Sequence, residues 1–288
     1  MTDALPEDLR AVAEQLAAES AAFVRRRRTE IFSVPAGPAA AHVRTKSSPT
    51  DPVTIVDTET EQLIRHRLAE LRPGEPILGE EGGGEAGGGE AGDSGTVRWV
   101  VDPIDGTVNF IYGIPAYSVS IAAQLDGRSV AGAVADVVSG DIYSAGIGLG
   151  AHVLAGGVRS PLRCSEVDDL SMALLGTGFG YEPSRRAAQA ALLARMLPVI
   201  RDVRRIGSAA LDLCMVAAGR LDAQYEHGLS VWDWAAGALI AAEAGAVLVL
   251  PEPDEPGTAG GLVLVAAPGV AAQLIAALDG FSGLRPLP

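Results

Sequence analysis

The sequence predicts an α/β fold with an α+β arrangement in its N-terminal half. Three observations carry this. Two helix-like stretches precede a group of strand candidates in the first 145 residues. From about residue 146 onward, helical and extended segments alternate, as expected when strands are covered by helices. The 288 residues are 48% hydrophobic, enough for a substantial core. Length alone allows about one or two domains, and 1–288 is expected as one, with halves at about 1–145 and 146–288.

Residues 6–28 read as an amphipathic helix, with Leu9, Val12, Leu16 and Phe23 on one stripe. Arg25-Arg26-Arg27-Arg28 reads as its solvated last turn, where cations suit the helix dipole. A loop rich in Pro and Ala (Pro35 to Ala41) and the turn chemistry of Lys46-Ser47-Ser48-Pro49-Thr50-Asp51-Pro52 follow. Asp57 opens a second helix carrying Ile64, Leu68 and Leu71 at helical spacing. Residues 81–95 are rich in Gly and Glu and read as a surface loop. Arg98 to Asp102 is a short apolar run ending in a carboxylate, hence a buried strand. Tyr117–Leu125 and Val130–Val138 form a hairpin about Asp126-Gly127. Farther on, helices are predicted at 184–197, 208–219, 232–244 and 269–279, and strands at 202–206, 222–226, 246–250 and 262–266.

Composition excludes several function classes. The net charge of −14, from 36 acidic and 22 basic residues, would repel a polyanion, so no nucleic-acid partner is expected. Cys164 and Cys214 lie in no CxxC pair and read as reduced thiols. The N-terminal residues do not form a signal peptide, and Gly, Asp or Glu interrupts each long apolar stretch. A cytoplasmic protein without a membrane partner is therefore expected.

The chemistry concentrates at Asp102-Pro103-Ile104-Asp105-Gly106-Thr107. Asp-Pro and Asp-Gly are ordinary turn dipeptides, but here they follow a buried strand, where α/β ligand sites form. Pro103 has no N–H, which leaves the Ile104 carbonyl free to face a cation. Gly106-Thr107 opens a short helical segment, Thr107 to Tyr112, whose first N–H groups suit an anion. Hard oxygen ligands suit Mg²⁺. Glu80 follows the apolar Pro76-Ile77-Leu78, and Asp233 stands between Trp232 and Trp234 at a helix start. Solvated loop acids and a first-turn helix acid are the alternative readings of those two.

The chain resembles the inositol monophosphatase family. The resemblance rests on Gly79-Glu80-Glu81, on Trp99 through Phe110, on Trp232-Asp233-Trp234-Ala235-Ala236-Gly237 followed by Glu243-Ala244-Gly245-Ala246, and on Lys46 to Asp51. It runs from about residue 10 to 280. Val108 replaces a common threonine, Ala246 replaces a common glycine, and the Gly/Glu-rich stretch after Glu81 is an insertion.

The resemblance implies a layered αβαβα sandwich of the sugar-phosphatase type. It implies a Mg²⁺-dependent, Li⁺-sensitive phosphomonoester hydrolase with two or three ions per site, most simply an inositol-1-monophosphatase, and a homodimer. Glu80, Asp102, Ile104 through its carbonyl, Asp105 and Asp233 would hold metal. Asp57 and Thr107, with Glu80, would be catalytic, acting on a metal-activated water in line with the leaving alcohol. Asp105, Gly106, Thr107, Ser208, Ala209 and Glu226 would bind substrate, and His227 would be structural. The sequence carries no nucleophilic Ser or Cys constellation, so no covalent phosphoenzyme is expected. Histidinol phosphate and fructose 1,6-bisphosphate are the alternative substrates, and a non-catalytic protein of the same fold is the alternative of another class. Arg204 and Arg205 are the cations nearest the Gly207 loop.

Overall fold

The computed structural model describes residues 4–32, 43–45, 52–84, 95–251 and 260–288. The Pro35–Ala41 loop, the Lys46–Asp51 turn and residues 85–94 of the Gly/Glu-rich stretch lie outside the described residues.

The N-terminal half begins with α1 (Ala4–Phe32), β1 (Val43–Thr45), β2 (Pro52–Thr54) and α2 (Ile55–Leu71). It continues with β3 (Ile77–Gly79), β4 (Gly83–Gly84), β5 (Val97–Asp105), α3 (Thr107–Tyr112), β6 (Ser118–Leu125) and β7 (Arg128–Asp136). Next come β8 (Ile142–Gly146), β9 (Ala151–Ala155), β10 (Val158–Pro161) and β11 (Leu174–Thr177). The remainder is α4 (Pro183–Met196), β12 (Asp202–Arg204), α5 (Ala209–Ala217), β13 (Ala223–His227), α6 (Val231–Glu243), β14 (Val247–Val249), β15 (Leu262–Ala266) and α7 (Pro268–Gly280).

These elements stack as the expected αβαβα sandwich. α1 and α2 cover one face of an eight-stranded sheet ordered β10-β9-β8-β7-β6-β5-β3-β4. α5 and α6 fill the middle layer. A five-stranded sheet ordered β12-β11-β13-β15-β14 follows, closed by α4 and α7. The central strands are covered on both faces, and their pleat divides their side chains between two cores. Trp99, Val101, Val119, Ile121 and Ala133 pack toward α1 and α2, while Val100, Ala122 and Val134 pack toward α5 and α6. On the second face Gly132 lets α6 lie close, since a Cβ there would stand 3.1 Å from Ala236 Cα. Trp99 is fully buried, and its indole N–H is satisfied by Glu75 Oε2 at 2.6 Å.

Three details differ from the sequence reading. First, α1 runs about one turn farther than residue 28, and its arginines are partly tethered. Arg25 donates to the Val137 carbonyl at 3.0 Å, Arg27 pairs with Glu59, and Arg28 donates to the Phe110 carbonyl at 3.0 Å. Arg28 thus supplies its cation to the C-terminal end of α3 rather than to its own helix. Second, β1 and β2 form a small sheet not anticipated, β8 to β11 extend the two larger sheets, and Gly83–Gly84, within the stretch read as a surface loop, pairs with β3 as β4. Third, the smaller sheet is mixed, with β11 parallel to β12 and β13 but β15 antiparallel to β13 and β14. Cys164 and Cys214 are both free thiols, as read from their spacing. Among the described residues no helix is long and apolar enough to cross a membrane.

Candidate active site

The site begins with an irregularity in β5. Asp102 pairs with Ser120 and Asp105 with Ser118, so three steps along β5 face two along β6. Pro103 has no N–H to give a ladder, which favours such a break. In a regular strand, residues 102 and 105 would point to opposite faces. The extra residue removes that alternation, and both carboxylates line one cavity of about 520 Å³. The motif is therefore a bulged strand end rather than a turn.

Neighbouring elements bring in the other acids. β3 runs parallel to β5 with Gly79 opposite Val101, and the Glu80 N–H donates to the Val101 carbonyl at 3.3 Å. Glu80 therefore leaves its strand end beside Asp102 and lines the same cavity. Asp233 stands in the first turn of α6 and accepts from the Ser230 N–H at 2.7 Å through Oδ2, while also lining the cavity. Helix capping and cavity lining thus coexist in one side chain. Asp105 spans the two halves of the protein. Its Oδ2 accepts from Ser208 Oγ at 2.6 Å and from the Ala210 N–H at 2.7 Å. The anion is held at the N-terminus of α5 by the helix's own donors.

Asp57 is fully buried and does not line the cavity. It is the third residue of α2, where Thr54 is the N-cap, in a reciprocal capping box. Its Oδ2 accepts from the Thr54 N–H at 2.9 Å and from Thr54 Oγ1 at 2.5 Å. Its Oδ1 accepts from Thr107 Oγ1 at 3.0 Å, and the same hydroxyl lies 3.1 Å from the Ile104 carbonyl. Thr107 faces the cavity and Asp57 stands behind it.

Burial and mutual repulsion perturb the acids of the cluster. Burial, then the charges of Glu80, Asp105 and Asp233, hold Asp102 well above the ordinary carboxylate range. Burial with Glu80 and Asp105 does the same for Asp233. Asp105 is lifted by burial to about 6, against the lowering effect of its bonds from Ser208 and Ala210. Acids that raise one another in this way are stabilised by a positive ion. Among the described residues no group of three or more His, Cys, Asp or Glu side chains is already arranged to hold a metal ion. The donors around the cavity are nonetheless all hard oxygens, which fits Mg²⁺ in both chemistry and charge.

The far wall of the cavity carries a second set of polar groups. Glu226 on β13 is buried, and burial pushes it up to about 8, with Arg205 opposing. Gly178 leaves room for it, because a Cβ there would stand 2.1–2.3 Å from the Glu226 carboxylate atoms. Ser208 is the N-cap of α5, but its hydroxyl and the Ala210 N–H are already engaged with Asp105. Gly106, Thr107, Ser208 and Ala209 all line the cavity, as do Phe179, Gly180 and Tyr181. His227 bonds the Gly283 carbonyl through Nε2 at 2.8 Å, burial lowers its pKa, and it also lines the cavity. Arg204 pairs with Asp202 on the surface, whereas Arg205 lines the cavity. Lys46 lies outside the described residues. Sequence reasoning missed Asp212, Arg185 and Gly178. Asp212 had a usable signal, since it follows the helix-opening Ser208 by four residues and so shares its face.

Hard-oxygen acids beside a helix start in one cavity suit metal-assisted hydrolysis of a phosphate ester. The sequence matches the description "Inositol monophosphatase family" over residues 5–281. The chain belongs to the inositol monophosphatase family and, as a member, is a phosphoric monoester hydrolase. An inositol-1-monophosphatase of Mycobacterium leprae is 68% identical over 283 residues, covering 98% of this chain and 97% of the relative. The solved structure of Mycobacterium tuberculosis SuhB aligns with TM-score 0.81 and 58% identity, covering 97% of this chain and 99% of that one. A Nus factor SuhB of Pasteurella multocida is 40% identical over 205 residues, covering 71% of this chain and 73% of the relative.

Proposed function

We propose that this chain is a Mg²⁺-dependent inositol-1-monophosphatase that releases myo-inositol and phosphate. One observation carries the reading: the β5 bulge turns Asp102 and Asp105 to the same cavity as Glu80, Asp233 and Thr107. Mg²⁺ would be held by Glu80, Asp102, the Ile104 carbonyl, Asp105 and Asp233, and when bound it supplies neutralisation of phosphate charge and a lowered pKa for water. The chain's own residues do the rest. Thr107 donates its hydroxyl proton to Asp57 Oδ1 and so turns a lone pair toward a water in the cavity. Asp57, held by both Thr54 donors, orients that hydroxyl and drains the water's proton through it. Gly106 and Thr107, at the start of α3, place the phosphate. Glu226 accepts from the hydroxyls of the alcohol. Water oxygen bonds to phosphorus, the P–O bond to the alcohol breaks, and the alcohol leaves with a proton from solvent.

The relatives' names support inositol phosphate as substrate. Lithium inhibition, a homodimer and a cytoplasmic location complete the proposal. Phosphate release from a panel of inositol, histidinol, fructose and nucleotide phosphates, with Mg²⁺ and then with added Li⁺, tests it. Inositol 1-phosphate should be the preferred substrate, with Li⁺ inhibiting. Preference for histidinol phosphate or a bisphosphate would contradict it.

A further inference from the structure

The cavity contains an acidic side chain that the reaction above does not use. Asp212 lies on α5, one turn beyond Ser208, and its own N–H closes that turn on the Ser208 carbonyl at 3.0 Å. It lines the cavity while only 1% exposed. Its Oδ1 is buried without a hydrogen-bond partner among the described residues. A buried carboxylate oxygen left without a partner is costly, so its persistence in a cavity wall asks for a ligand. Glu226 and Arg205 line the same wall, and Asp212 feels both their charges. Arg205, a cation with no hydrogen-bond partner among the described residues, offsets part of the negative charge there.

We propose that Asp212 is a specificity-determining residue which, together with Glu226, accepts hydrogen bonds from neighbouring hydroxyls of a polyol phosphate. The inference rests on the phosphatase reading above. Two carboxylates on one wall match an alcohol with several adjacent donors. A simple aryl phosphate has no hydroxyl to offer and does not use Asp212.

The test compares kcat/KM for inositol 1-phosphate and for p-nitrophenyl phosphate in the wild type, Asp212→Leu and Asp212→Asn, with far-UV circular dichroism confirming the fold. The ratio of the two values should fall about tenfold in Asp212→Leu, through KM, which corresponds to one hydrogen bond of about 1.4 kcal/mol. In Asp212→Asn, which keeps shape and one acceptor, it should fall about threefold. Should Asp212→Leu fail to fold, Asp212→Asn decides. An unchanged ratio overturns the role of Asp212 while leaving the phosphatase reading intact. A wild type inactive on both esters with Mg²⁺ present overturns both.

Discussion

Replacing Thr107 by valine tests the link between cavity and buried base. Valine keeps the shape of threonine but removes the hydroxyl that reaches Asp57 Oδ1 at 3.0 Å and lies 3.1 Å from the Ile104 carbonyl. Asp57 is fully exposed to neither solvent nor cavity, so its Oδ1 loses a donor that water cannot replace. Hydrogen bonds to buried charged groups contribute about 1.5–3 kcal/mol. For a chain of this size, a loss of about 2 kcal/mol lowers Tm by roughly 4–8 °C. The catalytic loss is larger, because the route for the water's proton is cut. General-base assistance is worth about 10²–10⁴ in rate, so kcat should fall at least about 100-fold while KM stays near its wild-type value. Phosphate release from inositol 1-phosphate and scanning calorimetry measure both effects, and Thr107→Ser should restore most of each. A Thr107→Val enzyme retaining kcat within about threefold would refute the assigned relay.

Other expectations follow from the same geometry. Gly178→Ala places a Cβ within 2.1–2.3 Å of the Glu226 carboxylate, so KM for inositol 1-phosphate should rise about tenfold, and an unchanged KM would remove Glu226 from the binding wall. Glu226 is lifted from its ordinary value of 4.5 to about 8, so between those pH values the folded protein binds a proton that the unfolded chain has lost. Its stability contribution is therefore present at pH 4.5 and lost as pH rises toward 8. Chelator-treated protein should lose stability with a slope of up to about 1.4 kcal/mol per pH unit from this group, and Glu226→Gln should flatten the curve; parallel curves would contradict the shift. Ser208→Ala removes the 2.6 Å bond to Asp105, and weaker Mg²⁺ binding with a Tm several degrees lower should be seen by titration calorimetry and melting.

Much of this was legible in the sequence because it is local. Asp126-Gly127 takes positive φ at both residues, which is the geometry that dipeptide favours in a hairpin. Asp233 is readable as a first-turn helix acid, but the reading of Asp57 as a helix opener falls two residues off: α2 opens at Ile55 with Thr54 as its N-cap, and Asp57 is the third helical residue, closing the capping box. What stayed hidden depends on contacts distant in sequence. No local pattern says that Arg28 ends on a carbonyl of α3, 82 residues away. Nor does any say that Gly178 exists to clear Glu226, since the two strands meet only in the sheet. The bulge was half legible: Pro103 announces a break, but only the pairing with Ser118 and Ser120 shows that the break turns two acids to one side.

A Mg²⁺ site at the bulged strand end that serves ester hydrolysis must fail when the ion or its bridging acid is removed. Chelator-treated enzyme should release no phosphate from inositol 1-phosphate, recover on addition of Mg²⁺, and bind Mg²⁺ by titration calorimetry, while Asp102→Asn should lose both turnover and Mg²⁺ binding. Turnover by the chelator-treated protein equal to the Mg²⁺-supplied enzyme, or wild-type activity in Asp102→Asn, would contradict it.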